Sequence, residues 1–215
     1  MMMNQVFEVD PPGSDARFHK LLGDVGWNRL PAAVRRRFGK RLKGGASVAY
    51  QGEVVEMKMN WAGRALAHAA RLIGAPLPFD MSSEGLPAVV IVTEDSQSDG
   101  QFWVRQYGRA KGFPQVVHSS KRFAGPSGLE EYIGYGIGMA LQIEASDDAL
   151  YFKSDGYFLQ IAGRKFALPR FLSPGALVIG HHDMGANNFL FSLRLSNRLF
   201  GEMIAQDCLF QDVKE

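Results

Sequence analysis

The sequence is poor in cysteine, and its one cysteine, Cys208, cannot form a disulfide within the chain. Such usage is typical of a reducing compartment, and Cys208, in an apolar Cys-Leu-Phe run, is interpreted as a packed small hydrophobe rather than a nucleophile. No stretch reaches the roughly 18 consecutive apolar residues of a membrane-spanning helix. The first residues also lack the basic and then apolar segments of a signal peptide. We therefore predict a soluble, cytoplasmic protein without a transmembrane segment.

Charge of one sign is not in excess either. The chain has 24 lysine and arginine residues against 22 aspartate and glutamate residues, a formal net charge of +2. A balance this even creates no overall field that attracts nucleic acid, so no nucleic-acid partner is expected. One local exception is the basic segment from Arg29 to Lys43. Two interpretations of this segment stay open: a solvated helix end, or a patch for phosphate or lipid headgroups.

Motifs that would indicate a reaction or a cofactor are absent. The glycine-rich run Gly134 to Gly138 lacks the Gly-x-Gly-x-x-Gly spacing of a phosphate loop, and no Gly-x-Ser-x-Gly nucleophile motif occurs. His181 and His182 are adjacent, so on a strand their side chains diverge. Neither a His-x-His pair nor a cysteine ligand accompanies them. We expect no metal and no cofactor.

What the sequence does contain, from Ala88 to Phe210, is a succession of short runs of alternating apolar and polar residues separated by turn-forming residues. This pattern is typical of an antiparallel sheet curled around its own apolar face. The expected fold class is mainly β (α+β), with a single curved antiparallel sheet or a partly closed β-barrel. N-terminal helices and one lid-like helix are expected mainly within residues 14–39 and 61–73, with a helix content below about a third.

One domain is expected, because no proline- or serine-rich linker divides the chain. Residues 1–13 are interpreted as a flexible leader and residues 14–215 as a single β-rich domain. An apolar share of 46%, with 11% aromatic residues, is enough for a sizeable core in one such domain.

Turn-forming residues predict how the strands are connected. We expect roughly eight to ten strands, the first from Ser47 to Asn60, where Gly52 indicates a bulge or a close backbone approach. The dipeptide Asp155-Gly156 predicts a hairpin turn, and the run Gly134 to Gly138 predicts a sharp bend of the sheet. Two prolines in the stretch Phe166 to Pro174 predict a rim loop rather than a central strand.

Three polar residues form a narrow stripe on the predicted helix from Trp61 to Leu72. Arg64, His68 and Arg71 follow the i, i+4, i+7 spacing that places side chains on one helical face. In one interpretation the stripe faces water; in the other it faces a cavity or partner and receives a carboxylate or phosphate. At least one of the two arginines is expected to pair with a bound anion or with one of three carboxylates, Glu53, Glu56 or Glu202.

The candidates for acid-base chemistry are His181, Glu202 and Arg105. Alternation predicts that either His181 or the next histidine points inward, as a general base or as a structural histidine. Glu202 shares a predicted strand face with Gln206, and if that face is interior its carboxylate needs a partner such as Arg105. Arg105 itself would stabilise an oxyanion or form a structural ion pair. The candidate ligand-binding residues are Arg64, His68, Arg71, Trp103 and Tyr135.

The order of several short motifs along the chain resembles one known family. The motifs include Arg35-Arg36-Arg37-Phe38-Gly39, Lys121-Arg122-Phe123, Gly136-Ile137-Gly138-Met139-Ala140-Leu141, Gly156-Tyr157-Phe158-Leu159, His181-His182-Asp183-Met184-Gly185 and Leu199-Phe200-Gly201-Glu202. Over about residues 16–212 the chain resembles the domain of unknown function 4166 family. The resemblance implies no catalytic residues, since the family defines none. It does imply that similar domains occur fused behind nucleotide-dependent reductase or epimerase-like domains.

Three functions stay open on this basis. The first is a binding module whose β-sheet or barrel cavity holds a hydrophobic or amphipathic small molecule. The second is a small cavity enzyme of the cyclase or isomerase type that uses acid-base chemistry. The third is an accessory domain that docks on a separate reductase through the basic patch from Arg35 to Lys43.

Overall fold

The computed structural model describes residues 14–212. Within them lie three α-helices, α1 (Arg17–Arg29), α2 (Ala32–Phe38) and α3 (Trp61–Ala70), and three 3-10 turns at Arg71–Ile73, Met81–Ser83 and Arg170–Leu172. None of the helices in this part of the chain is long and apolar enough to cross a bilayer. The strands are β1 (Ser47–Met59), β2 (Pro87–Asp95), β3 (Gly100–Tyr107), β4 (Gln115–Arg122), β5 (Glu130–Gly134), β6 (Ile137–Ala145), β7 (Ala149–Ile161), β8 (Arg164–Ala167), β9 (Ala176–Gly185), β10 (Asn188–Asn197) and β11 (Gly201–Gln211).

Ten of these strands close into a barrel in which every neighbouring pair is antiparallel. The order around the barrel is β1 to β7, then β9, β10 and β11, which pairs back with β1. β8 lies outside this ring as the outer arm of a hairpin with the second half of β7. Strand makes up 51% of the structure and helix 20%. The predicted mainly β antiparallel class is therefore confirmed, and the barrel is fully closed.

Alternation along the strands sends every second side chain into the barrel. On β10 the inward residues are Phe189, Phe191, Leu193 and Leu195, none of which is more than 7% exposed. These side chains join those of the facing strands in one hydrophobic core. Most of the barrel interior is thus filled by side chains.

The two ends of the barrel are covered by different helices. At the closed end, α1 and α2 plug the opening with Phe18 and Phe38, which are at most 3% exposed and in edge-to-face contact at 5.2 Å between ring centroids. At the other end, which we call the mouth, α3 crosses between β1 and β2. Because the strands form a meander, the β3–β4, β5–β6, β7–β9 and β10–β11 connections also lie at the mouth.

Glycines at two positions allow close backbone approaches to β11. A Cβ atom on Gly52 of β1 would lie 1.9 Å from the carbonyl oxygen of Leu209 on β11. This confirms the close approach predicted at Gly52. A Cβ atom on Gly63 of α3 would lie 2.0 Å from the carbonyl oxygen of Met203, so glycine at this position lets α3 rest directly on β11.

The predicted hairpin turn at Asp155-Gly156 is wrong. β7 runs through this dipeptide without a break, and its register against β6 shifts there, since Leu141 faces Ser154 while Met139 faces Tyr157. Gly156 has a φ of 105°. Glycine with positive φ occurs in one kind of bulge as well as in tight hairpin turns, so the dipeptide is compatible with either.

Two further connections differ from the prediction. The run Gly134 to Gly138 contains the hairpin turn between β5 and β6 rather than a bend inside one strand, with positive φ at Gly134, Tyr135 and Gly136. The predicted rim loop from Phe166 onwards begins inside β8, and the rest of it is a loop that contains the 3-10 turn Arg170–Leu172. Both segments lie at the mouth of the barrel.

Candidate binding site in the barrel

A cluster of charged side chains lies inside the barrel, where apolar filling would be the rule. Lys121 on β4 and Glu131 on β5 face each other across the strands and are 1% and 2% exposed. The Nζ of Lys121 is 3.0 Å from Oε1 of Glu131, and Nη2 of Arg105 on β3 is 3.9 Å from the same oxygen. The Ser119 hydroxyl donates to this oxygen at 2.5 Å and accepts from Nη1 of Arg105 at 3.3 Å. We call these four residues the interior charge cluster.

The interior charge cluster has a surplus of positive charge while Lys121 is protonated. Burial raises the pKa of Glu131, but the charges of Lys121 and Arg105 and the Ser119 hydrogen bond outweigh it, and the pKa lies below its usual value. Burial lowers the pKa of Lys121, the charge of Glu131 raises it and that of Arg105 lowers it, and the net result is a lowered pKa. Two cations share one carboxylate, so a further negative group would be stabilised here.

Several buried polar atoms of the interior have no hydrogen-bond partner within residues 14–212. In the interior charge cluster these are Nε of Arg105 and Oε2 of Glu131. Gln206 on β11 is fully buried, and neither its Nε2 nor its Oε1 is bonded. The remaining atoms are Nδ1 of His181, Nε1 of Trp103, and Nε and Nη1 of Arg37. A buried polar atom left unpaired costs about 1–3 kcal/mol, so the interior favours the binding of an added polar group.

Two adjoining cavities lie at the mouth end of the barrel. The outer one, which we call the mouth cavity, has a volume of about 250 Å³ and is lined by Leu66, Ala70, Ile73, Pro76, Leu77, Ile133, Ile137, Met139, Tyr157, Leu168, Leu172, Pro174, Leu177 and Leu195. The inner cavity is about 30 Å³, and Arg105, Ser119 and Glu131 form part of its wall. Five residues line both cavities: Pro76, Leu77, Ile133, Met139 and Leu177. An apolar space therefore adjoins the interior charge cluster.

The boundary between the two cavities includes the extended segment Pro76–Pro78, which we call the strap. The buried side chain of Gln115, at the start of β4, is hydrogen-bonded to the strap and to the residue that follows it. Its amide nitrogen donates to the carbonyl of Leu77 at 3.2 Å, and its amide oxygen accepts from the backbone N–H of Phe79 at 3.0 Å. These two hydrogen bonds tie the strap to β4.

The cationic stripe of α3 faces solvent. Arg64, His68 and Arg71 are all exposed, whereas Leu66 and Ala70 on the opposite face line the mouth cavity. The guanidinium of Arg71 lies 4.7 Å from the ring centroid of Phe79, and the His68 ring is 5.8 Å from the same ring. A ligand-binding role of the stripe stays a prediction.

Glu202 lies on the outside of the barrel. The pairing between β10 and β11 shifts by one residue next to Met203, so Glu202 does not share the buried face of Gln206. Its carboxylate is 4.0 Å from Arg194, and that of Glu56 is 3.7 Å from the same guanidinium. Within residues 14–212 neither arginine of the α3 stripe forms an ion pair, so their predicted pairing with a carboxylate is wrong.

His181 points into the barrel, as alternation predicts for one of the two histidines. It is 3% exposed, and its ring packs against those of Phe38 at 5.0 Å and Phe191 at 5.5 Å. Burial and the charges of nearby cations hold the pKa of His181 well below its usual value, so the ring is neutral. Neither His181 nor Glu202 lines the mouth or inner cavity, whereas Arg105 does. The geometry therefore gives no support to the acid-base enzyme alternative.

Trp103 and Tyr135 lie in different environments, one inside the barrel and one on its surface. Trp103 is 4% exposed inside the barrel, with its ring centroid 5.0 Å from Nζ of Lys121. Tyr135 is 77% exposed beside a groove of about 520 Å³ on the outer surface, which Phe102 and Tyr132 also line. This groove is larger than the mouth cavity, but none of its lining residues carries an unpartnered buried polar atom. Binding roles for Trp103 and Tyr135 stay predictions.

The basic segment near α2 divides between the interior and the surface. The Arg37 guanidinium is buried over the Phe189 ring at 3.7 Å and pairs with Asp212 at 2.7 Å. Arg36 and Lys43 are exposed. Only part of the segment is thus open to a partner, and docking on a separate reductase stays a prediction.

Lys121, Glu131 and Gln115 are functional candidates that sequence reasoning missed. One signal for Lys121 exists, because it shares an alternating strand face with Val117 and Ser119, and a lysine on an inward face must find a partner. Glu131 and Gln115 carry no such signal. Their roles depend on the β4–β5 register and on the path of the strap, which local sequence does not specify.

The fold and the cavities define a class of protein, an antiparallel β-barrel with a helix-covered apolar cavity above a buried charge cluster. The model of one family, Domain of unknown function (DUF4166), matches residues 30–210, which is most of the chain. The chain belongs to this family, as the order of its motifs predicts. No curated protein and no solved structure matches it. Its function must therefore be argued from the site.

Proposed function

We propose that this domain binds a small amphipathic molecule, with the apolar part in the mouth cavity and the polar end in the inner cavity beside Arg105. The observation that carries the proposal is the adjacency of the two cavities, which share five lining residues. Two unpartnered buried atoms, Nε of Arg105 and Oε2 of Glu131, belong to the wall of the inner cavity. An apolar pocket with a few convergent polar groups is the common architecture of small-molecule sites.

The charge of the inner cavity favours a ligand with a negative head group. Arg105 can donate from Nε to a carboxylate in a charge-assisted hydrogen bond, which is stronger than a neutral one. Glu131 is already shared between Arg105 and Lys121, so a ligand carboxylate would compensate the second cation. Oε2 of Glu131 is an acceptor, and a hydroxyl group or a water molecule fits beside it.

The size of the mouth cavity limits the apolar part. At about 30 Å³ for each water-sized group, its volume of about 250 Å³ corresponds to about eight such groups. A chain of about eight carbons is therefore a suitable probe. The inner cavity adds room for little more than one polar group.

A matched set of three ligands tests the proposal. Octanoate, octan-1-ol and octylammonium share one chain and differ in head-group charge. Isothermal titration calorimetry is expected to rank their affinities in that order, because the surplus cation attracts the carboxylate and repels the ammonium. Native mass spectrometry of gently purified protein gives an independent check for a ligand carried from the cell.

Two variants assign the two ends of the ligand. Arg105→Gln is expected to lower the affinity for octanoate about ten- to hundredfold and to leave octanol nearly unchanged, since a hydrogen bond to a charged group contributes about 1.5–3 kcal/mol. Arg194→Gln is the control, because Arg194 faces outward.

Ala70→Phe fills the mouth cavity and should weaken the binding of all three ligands, whereas Ala69→Phe, on the exposed face of α3, should not. Equal binding of the three ligands, or equal binding by both phenylalanine variants, contradicts the proposal.

A further inference from the structure

Exposed apolar side chains are concentrated on one part of the barrel mouth. Three segments form what we call the mouth rim: residues 61–73, residues 161–173 and residues 197–201. They contain eight of the sixteen large hydrophobic side chains that are exposed within residues 14–212: Trp61, Leu72, Ile161, Phe166, Phe171, Leu172, Leu199 and Phe200. Isolated exposed hydrophobic residues are normal, but a concentration of this kind marks an interaction surface.

The three segments of the mouth rim lie against one another. The Trp61 ring on α3 contacts the Phe200 ring of the β10–β11 turn, with 5.3 Å between centroids. Leu66 of α3 and Leu172 of the second segment line the same mouth cavity. The exposed side chains thus lie together on three neighbouring connections at the mouth, β1–β2, β7–β9 and β10–β11.

The charges of the mouth rim have one sign. Its segments contain no aspartate or glutamate, and their cations are Arg64, Arg71, Arg164, Lys165, Arg170 and Arg198. Lys165 pairs with Glu130 at 2.5 Å, but the five arginines form no ion pair within the described residues. The closed end is different, because Arg17, Arg29 and Arg41 are paired there with Asp15, Asp147 and Asp99.

We propose that the mouth rim docks on the surface of an anionic lipid bilayer. Surplus arginines beside exposed Trp, Phe and Leu side chains match such a surface, where cations contact headgroups and apolar side chains enter the acyl boundary. In this orientation the mouth cavity opens onto the membrane, so an apolar molecule passes between bilayer and barrel without crossing water. This transfer of an apolar molecule rests on the proposed function, whereas the docking on the bilayer does not.

Vesicle flotation tests the docking. Wild-type protein is expected to float with phosphatidylcholine vesicles that contain about 30% phosphatidylserine and not with phosphatidylcholine alone, since the attraction comes from anionic lipid. Raising the ionic strength from about 0.1 M to about 1 M should release it, because the Debye length falls from about 10 Å to about 3 Å.

Variants of the rim that avoid the cavity separate docking from ligand binding. Arg164→Gln with Arg170→Gln should weaken vesicle binding roughly 25-fold, about fivefold for each arginine removed. Leu72→Ser with Phe171→Ser should weaken it at least about tenfold, because both side chains are more than four-fifths exposed and insert into the bilayer in the docked state. None of these four residues lines the mouth or inner cavity, so octanoate binding without vesicles should not change.

Matched substitutions at the closed end are the controls. Arg36→Gln with Lys43→Gln, and Val25→Ser with Met184→Ser, remove exposed charge and exposed apolar surface there and should leave vesicle binding intact. Failure of wild-type protein to bind anionic vesicles overturns the proposal. So does an equal loss in the closed-end variants, which would show unspecific attraction. A concentration-dependent dimer that Leu72→Ser with Phe171→Ser abolishes, seen by analytical ultracentrifugation without vesicle binding, would assign the rim to self-association instead.

Discussion

Neutralising Glu131 tests whether the interior charge cluster is removed from water. At 3.0 Å from Lys121 and 3.9 Å from Arg105, the carboxylate attracts the two cations by about 5 and about 4 kcal/mol at an effective dielectric constant of about 20. Glutamine keeps the shape of the side chain and can still accept from Ser119, but both attractions are lost. Breaking a buried ion pair in this way costs about 3–5 kcal/mol, and Glu131→Gln should lower the free energy of unfolding by that amount.

Lys121→Met is the informative companion to Glu131→Gln. It removes the surplus cation and leaves Arg105 and Glu131 as a one-to-one pair, so its cost is expected to be smaller than that of Glu131→Gln, which leaves two cations without a carboxylate. Urea unfolding near neutral pH, followed by circular dichroism, measures both free energies. Glu144→Gln is the control, because this carboxylate is exposed and pairs with Lys153 at the surface, where an ion pair contributes about 0–1 kcal/mol.

Two results would refute this reasoning. One is a cost below about 1 kcal/mol for Glu131→Gln, which would mean that water solvates the cluster. The other is an equal cost for Glu131→Gln and Lys121→Met, which would mean that the two cations do not share the carboxylate. Octanoate supplies a second readout, because a ligand carboxylate should raise the melting temperature of Glu131→Gln more than that of wild-type protein.

Three further predictions follow from buried groups. The pKa of Glu131 is lowered in the folded protein, so ionised Glu131 stabilises the fold above the unfolded value of 4.5, and this stabilisation is lost as the pH falls through the folded value. Glu131→Gln should therefore flatten the acid branch of the curve of unfolding free energy against pH, as measured by urea titrations. Burial raises the pKa of the Cys208 thiol, so Ellman's reagent should react with it only after unfolding, and reaction with folded protein would contradict its burial. Gly63→Ala should cost at least about 2 kcal/mol in thermal unfolding, because the added Cβ would lie 2.0 Å from the Met203 carbonyl oxygen; an unchanged melting temperature would disprove that contact.

Alternation predicts the class of the fold because it reports which side chains face the core, and each strand obeys it separately. Closure of the barrel is another matter. It depends on β1 pairing with β11, the first and last strands of the chain, and no local pattern specifies that contact. Local chemistry is also ambiguous at Asp155-Gly156, since positive φ serves a bulge inside β7 as well as it serves a turn.

Only part of the candidate site could be predicted from the sequence. Alternation places one of the two adjacent histidines inward without saying which, and it puts Arg105 on the face of Trp103 and Tyr107; the structure shows His181 and Arg105 inside the barrel. Glu202 was assigned to the face of Gln206 by the same rule, but the register shift beside Met203 turns it outward, and a bulge of this kind leaves no sequence mark. The pairing that defines the interior charge cluster arises from the alignment of β4 with β5, which only the folded chain shows.

The barrel interior has more polar atoms than its own side chains satisfy. Eight buried nitrogen and oxygen atoms on six residues lack a partner within residues 14–212. At about 1–3 kcal/mol each, leaving them all unpaired would cost as much as the whole stability of a typical domain, about 5–15 kcal/mol. Hydrogen bonds to water or to a ligand would offset this cost. Water satisfies donors and acceptors alike, so a barrel filled with water has no preference for the charge of a ligand head group. A site that binds a carboxylate has such a preference. The preference for octanoate over octylammonium, and its loss in Arg105→Gln, therefore distinguishes a hydrated barrel from a binding site.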